Sequence, residues 1–333
     1  MLKNHINNEQ LALYQILTNE KIIDFSQDKT TIKEYLPQIL NKEFLKDLLN
    51  STLNLDNCRF TIKTSTLLSS IIMLNPFIKI LSLDSCDLYY KSINIITQSC
   101  LCNKTIESLS LNSNKLDKKS IDGLSPLLKG KGIITKLSIM NNDEVGDEGI
   151  INLCSFLEEN TNLAELNIRM TGITDHGIEV IANLLISNKT IIHLNISTNE
   201  FTSDCLKELS NSLIINKSLK ILEIYNNDLF DDGFISICEG LRQNKGLIKL
   251  DVSNCSISDK SFTHFCEILK ENTYLEECNL KGNIIHNEGL IYLLNLLSKN
   301  KIFIKSIDLD KNEIEDKTIL NKFSLNQYNI IKI

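Results

Sequence analysis

Ten cysteines and five histidines are the side chains of this 333-residue chain best suited to hold a metal or attack a substrate. Their spacing argues against both uses. Cys100-Leu101-Cys102 leaves one residue between its thiols, whereas a zinc knuckle wants roughly two to four and a second pair of ligands. The histidines His5, His176, His193, His264 and His286 belong to no H-E-x-x-H arrangement and flank no plausible nucleophile. Neither a P-loop nor a G-x-G-x-x-G is present. The acid pairs Asp231-Asp232 and Glu158-Glu159 fall where helices should end. For Asp231-Asp232 an offset of the helix dipole is explanation enough. The residues therefore predict no catalytic group, no metal and no cofactor.

What positions these residues is a repeat. Eleven residues of pattern L-x-x-L-x-L-x-x-N/C-x-L recur ten times, and a clear copy is Leu219-Lys220-Ile221-Leu222-Glu223-Ile224-Tyr225-Asn226-Asn227-Asp228-Leu229. The equivalents of Leu222 are Leu53, Leu81, Leu109, Leu137, Leu166, Leu194, Leu250, Cys278 and Ile307, at spacings of 28 or 29 residues. A fixed period in this range means a stacked solenoid.

Within one repeat, Leu194 and Ile196 alternate with polar neighbours, which reads as a short strand with one buried face. Phe201 turns inward, Ser203 or Asp204 is placed to cap a helix, and Leu206, Leu209 and Leu213 form its buried stripe. Two further registers run in step. A ladder position holds Cys58, Cys86, Asn114, Asn142, Thr171, Asn199, Asn227, Cys255, Asn283 and Asn312. Asn suits it because one amide both donates and accepts, and buried turn backbone must be satisfied. Thr171 departs from the pattern and predicts a locally adjusted turn. A small residue (Thr64, Ser92, Ser120, Gly149, Gly177, Cys205, Gly233, Ser261, Gly289, Thr318) marks each helix start and should let the helix approach the strand. Asn recurs in the return loop, at Asn75, Asn103, Asn160, Asn188, Asn216, Asn244, Asn272 and Asn300. Most cysteines are absorbed too: three sit on the ladder, Cys278 in the strand core, and Cys154, Cys238 and Cys266 at one helix position.

From about Asn50 to Ile314 the chain resembles the ribonuclease-inhibitor-like class of leucine-rich repeats. That class also occurs in the recognition arms of NOD-like receptors, in Ran GTPase-activating proteins and in secreted bacterial effectors. The resemblance implies an α/β horseshoe with a parallel sheet on the concave face and helices on the convex one. It leaves the partner open, because these families share a scaffold and differ in what they bind. The expected organisation is an N-terminal helical cap or degenerate repeat over 1–49, ten repeats over 50–320, and a C-terminal cap over 321–333. Ile330-Ile331-Lys332-Ile333 could add a last strand.

The net charge of −7 argues against nucleic acid, which needs a basic stripe. The first ten residues lack an apolar core for a signal peptide, and no apolar run is long enough to span a membrane. A cytoplasmic, monomeric protein with free thiols is expected. Lys, Asn and Ile are abundant, and arginine is confined to Arg59, Arg169 and Arg242. That bias fits an AT-rich genome, and hence an effector of an intracellular bacterium, acting in the host cytosol, or a protist adaptor.

Function is expected on the inward-facing strand positions, where a protein partner would be gripped. Met140, Arg169, Met170, His193 and Tyr225 gather on neighbouring strands, and Arg169 and Tyr225 should carry most of the binding energy. Glu223, Asp251, Glu277, Asp308 and Asp310 form an acidic track interrupted by Lys249, Lys281 and Lys305. The alternative is a GTPase-activating protein resembling the Ran-directed family, with Arg59 on the first rim as its only nameable candidate. That family usually adds a strongly acidic tail, and this chain ends Asn329-Ile330-Ile331-Lys332-Ile333.

Overall fold

The structure is a computed structural model that describes residues 51–75, 77–299, 301–319 and 330–333. The expected cap over 1–49, and 321–329 of the expected C-terminal cap, lie outside the described residues. Strands and helices alternate: β1 (Thr52–Asn54), α1 (Ile62–Leu74), β2 (Ile80–Ser82), α2 (Tyr90–Asn103), β3 (Ser108–Ser110), α3 (Lys118–Leu128), β4 (Lys136–Ser138), α4 (Gly146–Leu157), β5 (Glu165–Asn167), α5 (Asp175–Ser187), β6 (His193–Asn195) and α6 (Leu206–Ile215). The order continues β7 (Ile221–Glu223), α7 (Phe230–Gln243), β8 (Lys249–Asp251), α8 (Asp259–Ile268), β9 (Glu277–Asn279), α9 (Asn287–Ser298), β10 (Ser306–Asp308) and β11 (Ile331–Lys332).

The strands form one parallel sheet in sequence order. The leucine of each repeat is the middle residue of its strand and pairs in register with the next: Leu166 with Leu194, Leu194 with Leu222, Leu250 with Cys278. These side chains are buried, as are the second strand leucines and isoleucines and the helix stripes behind them. The fold is an α/β leucine-rich-repeat solenoid, sheet on one face and helices on the other. Ile331 and Lys332 continue the sheet beyond β10.

Two asparagine ladders run through the stack. At the strand-exit turn, Asn114 Oδ1 accepts from the backbone N–H of Cys86 and Leu88, and its Nδ2 donates to Leu83 and Leu111 carbonyls. Each such asparagine thus closes its own turn and that of the repeat before it. At the return loop, Asn216 Nδ2 donates to the Leu185 carbonyl at 2.7 Å while Oδ1 accepts from Ser218 and Leu219 N–H. This second ladder satisfies carbonyls at the end of the preceding helix, which have no partner within it.

Where the first ladder lacks asparagine, the backbone compensates. Thr171 Oγ1 donates to the Ile168 carbonyl at 2.7 Å, but no amide oxygen is on offer to the turn before. Asn142 N–H therefore bonds Met170 carbonyl, and Gly146 N–H bonds that of Thr171. A 3-10 turn at Asp143–Val145 takes up the slack, so the expected local adjustment falls in the preceding repeat. Cys86 and Cys255 behave alike: Phe60 N–H bonds the Cys86 carbonyl and Phe230 N–H the Cys255 carbonyl.

Helix capping differs from expectation. Neither Ser203 nor Asp204 caps α6, whose N-cap is Cys205 with no side-chain bond. Thr61, Asp117 and Ser258 cap their own helices, while at other helix starts the acceptor comes from a neighbouring repeat. Asp147 accepts from the backbone N–H of Thr174 and Gly177, and Asp259 from those of His286 and Gly289. Asp231 accepts from Ser258 N–H and Oγ and from Ser261 Oγ. At Gly177 and Gly289 the small-residue register serves this contact. A Cβ on Gly177 would come within 2.5 Å of Asp147 Oδ1, and one on Gly289 within 2.3 Å of Asp259 Oδ1. Room for a carboxylate, rather than approach to the strand, is what these two glycines supply.

Candidate functional site

Successive strand residues point to opposite faces, so the residues before, between and after the two core positions line the open face of the sheet in three columns. Over β3 to β7 this face holds a cleft of about 400 Å³, lined by Ser108, Ser110, Asn112, Lys136, Ser138, Glu165, Asn167, His193, Asn195 and Glu223. Its floor is low because the serines are short, and Leu109, Leu137 and Leu166 show through. Its walls are polar contacts: the ion pair of Lys136 with Glu165 at 2.7 Å and the hydrogen bond between His193 Nε2 and Glu223 Oε1 at 2.9 Å. Asn195 Nδ2 donates to Glu223 Oε2 at 2.5 Å.

Three members of the expected central cluster come together beyond this cleft, in the third column. Arg169 lies with its guanidinium carbon 5.5 Å from the Tyr225 ring centroid, a cation–π arrangement. Its Nε donates to Thr198 Oγ1 at 3.1 Å and Nη1 to Met140 Sδ at 3.5 Å. His193 is drawn to Glu223 and the cleft instead. Met170 is exposed at 43% and occupies a left-handed turn position, φ 54°, that other repeats fill with Asn, Ser, Thr, Gly282 or Lys311. Thr198, which fixes the guanidinium, was not singled out from sequence. It sits one repeat on from Met170 at that same left-handed position, and nothing in its type marks it.

The acidic residues do not stand as an open field. Glu277 pairs with Lys249 at 2.8 Å, Asp310 with Lys281 at 2.6 Å and Asp308 with Lys332 at 2.7 Å. The Lys281 ammonium beside Asp310 holds its carboxyl below the usual range. Asp251 accepts from Ser253 Oγ and Asn279 Nδ2. Among the described residues, the lysines and arginines of the three columns and β11 are Lys136, Arg169, Lys249, Lys281 and Lys332. Of these, Arg169 is the one with no carboxylate at ion-pair distance. Arg59 belongs to an exposed chain of charges, Arg59–Asp87–Lys115.

The thiols are structural. Burial pushes Cys86, Cys100, Cys154 and Cys255 up to about 12, far from thiolate at neutral pH. Cys86 Sγ donates to Leu55 and Asp84 carbonyls in the ladder. Cys102 alone among the ten is exposed. Among the described residues, no three His, Cys, Asp or Glu side chains converge as metal ligands. No helix there is long and apolar enough to cross a membrane.

A family model for the leucine-rich repeat matches residues 134–154 and 159–182. The chain is a leucine-rich repeat protein. The matched repeats carry β4 and β5, hence Met140 and Arg169. No curated protein matches in sequence. Several solved structures are similar at low scores. Leiomodin-1 actin-binding site 2 is 25% identical over 50% of this chain and 80% of that one, TM-score 0.32. The tropomodulin C-terminal domain of Caenorhabditis elegans is 20% identical over 47% and 93%, TM-score 0.38. The yeast Rad7–Elc1 complex contains a chain 14% identical over 98% and 97%, TM-score 0.44.

Proposed function

We propose that this leucine-rich repeat protein is a non-enzymatic interaction module that holds a protein partner against the middle of its sheet face. One observation carries the reading: among the described residues, Arg169 has no counter-ion on a face whose lysines are paired, and it is displayed on Tyr225 between Met140 and exposed Met170. Arg, Tyr and Met are the residue types enriched at interfaces, and nothing in the repeat's folding requires them there. The scaffold's in-register sheet and double asparagine ladder keep it rigid, so little ordering entropy opposes association. The module acts as an effector or adaptor in a eukaryotic cytosol, a reading that rests on composition. The Ran-directed alternative has only the surface charge chain of Arg59 behind it. Acceleration of small-GTPase hydrolysis by the purified chain would favour that alternative and reverse the ranking.

The test is affinity capture from eukaryotic lysate with wild type and an Arg169→Ala/Tyr225→Ala pair. Partners held by the wild type should be lost from the pair, since a central anchor is worth about 2 kcal/mol or more. The melting temperature should hardly move, because both side chains are partly exposed. Equal recovery of the same partners by both proteins would remove the site from the middle of the sheet.

A further inference from the structure

Ser197 stands in the third column of β6's repeat, one strand from Arg169 and one from Tyr225. Its side chain is fully buried and, among the described residues, its Oγ has no hydrogen-bond partner. Buried hydroxyls are almost always satisfied, so this one calls for an explanation. Arg169 passes beside it. Two strand spacings, about 9.6 Å, separate its backbone from that of Tyr225, yet its guanidinium carbon lies 5.5 Å from the Tyr225 ring. With Nε held by Thr198 Oγ1, one residue past Ser197, the side chain runs from β5 toward β6 and β7, beside the position of Ser197.

We propose that Arg169 and Ser197 form a subsite for a carboxylate, the Asp or Glu side chain of a partner peptide, which the Arg169–Tyr225 stack covers in the free protein. This rests on the interaction reading above and names the group recognised there. The chemistry is that of an anion site. Nη1 meets only the weakly accepting Met140 sulfur, which leaves the guanidinium its fork for bidentate recognition of a carboxylate. Swinging that fork toward an incoming acid uncovers the Ser197 hydroxyl as a further donor. The nearby carboxylates do not compete, since Glu165 is held by Lys136 and Glu223 by His193 and Asn195. A single unpaired guanidinium carries one positive charge, which matches a monoanion rather than a phosphate dianion. Met140, Met170 and the Tyr225 ring offer apolar surface to the peptide on either side.

The test is selection from a displayed library of random peptides, followed by fluorescence anisotropy on an enriched peptide and its Asp→Asn or Glu→Gln counterpart. Selected peptides should share an acidic residue, and its amide counterpart should bind at least tenfold more weakly. Ser197→Ala should weaken the acidic peptide about tenfold, the worth of a charge-assisted hydrogen bond, and the amide peptide by clearly less, since its carbonyl accepts only a neutral bond. The same substitution should leave the melting temperature level or higher, because it removes an unsatisfied buried hydroxyl. Peptides that need Tyr225 but show no acid preference and ignore Ser197→Ala would overturn the carboxylate subsite alone. A phosphoserine in place of the acid binding more tightly would overturn it as well. Failure to select any peptide that depends on Tyr225 would sink both this subsite and the site on which it rests.

Discussion

Substituting Gly289 by alanine tests whether the helices of this solenoid are capped across repeats. Asp259 Oδ1 accepts from His286 and Gly289 N–H, both at 3.0 Å. A Cβ at 289 would sit 2.3 Å from that oxygen and 3.0 Å from Ile285 Cγ2 and Phe262 Cδ1. Alanine gains about 1 kcal/mol of helix propensity over glycine. Against this, it pushes away a carboxylate whose hydrogen bonds are worth about 1.5–3 kcal/mol each. The net expectation is a loss of about 2 kcal/mol. Asp259→Ala alone should lose a similar amount, in the upper range of a lost helix cap. In the Asp259→Ala background the obstruction is gone, so Gly289→Ala should then cost little. The two changes should therefore couple by about 1–2 kcal/mol. Urea denaturation of the four proteins measures this, with hydrogen exchange at residues 286–290 because neighbouring repeats can open separately. An equal cost of Gly289→Ala with and without the carboxylate would refute the reasoning. The glycine would then be kept for packing against Ile285 and Phe262.

Other consequences follow from the same geometry. Asn199→Ala leaves the N–H groups of Thr171 and Ile173 without their acceptor and should cost about 3 kcal/mol, the sum of two buried groups unpaired, read by urea midpoint. Burial raises the Asp231 carboxyl, but hydrogen bonds from Ser258 and Ser261 outweigh it and hold its pKa below the ordinary value. With the folded pKa depressed, its stabilisation is present above the unfolded carboxylate value and lost as pH falls through the folded one. Acid titration of stability should show Asp231→Asn with a shallower loss below about pH 4. Iodoacetamide on the native protein should modify Cys102 and spare the nine buried thiols, with all ten reacting in denaturant; mass spectrometry counts the adducts.

The period made the strands legible because one requirement repeats: Leu53 through Ile307 each fill the same slot, so their type survives at every copy. The ladder was legible for the same reason, including its exception at Thr171. The helix caps were not. Ser203 and Asp204 have the right types in the right place, but sequence adjacency cannot reveal a carboxylate arriving from the repeat before, as at Asp175, which takes Thr202 N–H and Oγ1. The glycine register was seen and its cause misassigned, because that cause lies about 30 residues away. In the candidate site, Met140, Arg169 and Tyr225 stood out as types unlike their column. Their mutual contact, and the orphaned hydroxyl of Ser197, depend on a side-chain path that composition does not encode.

The site's position also has a structural reason. In the first repeats the third column is itself a ladder: Asp56 Oδ1 accepts from Ser82 Oγ and Asp84 N–H, Asp84 from Ser110 and Asn112, and Asn112 from Ser138 and Met140 N–H. It stops at Met140, which has no oxygen to pass on. From β5 onward the job moves to the middle column, where Asn167 Oδ1 accepts from Arg169 N–H, Asn195 from Ser197, Asp251 from Ser253 and Asn279 from Lys281. Once the middle column satisfies the backbone, third-column side chains are released from structural duty. Arg169 and Tyr225 occupy positions so released, one and three repeats past the break. The same strand pair carries the Thr171 gap and the 3-10 turn beside it, so three departures from the repeat coincide. A repeat protein must hold most inward positions to its own bonding, and it can vary a side chain for a partner only where another residue has taken over that bonding.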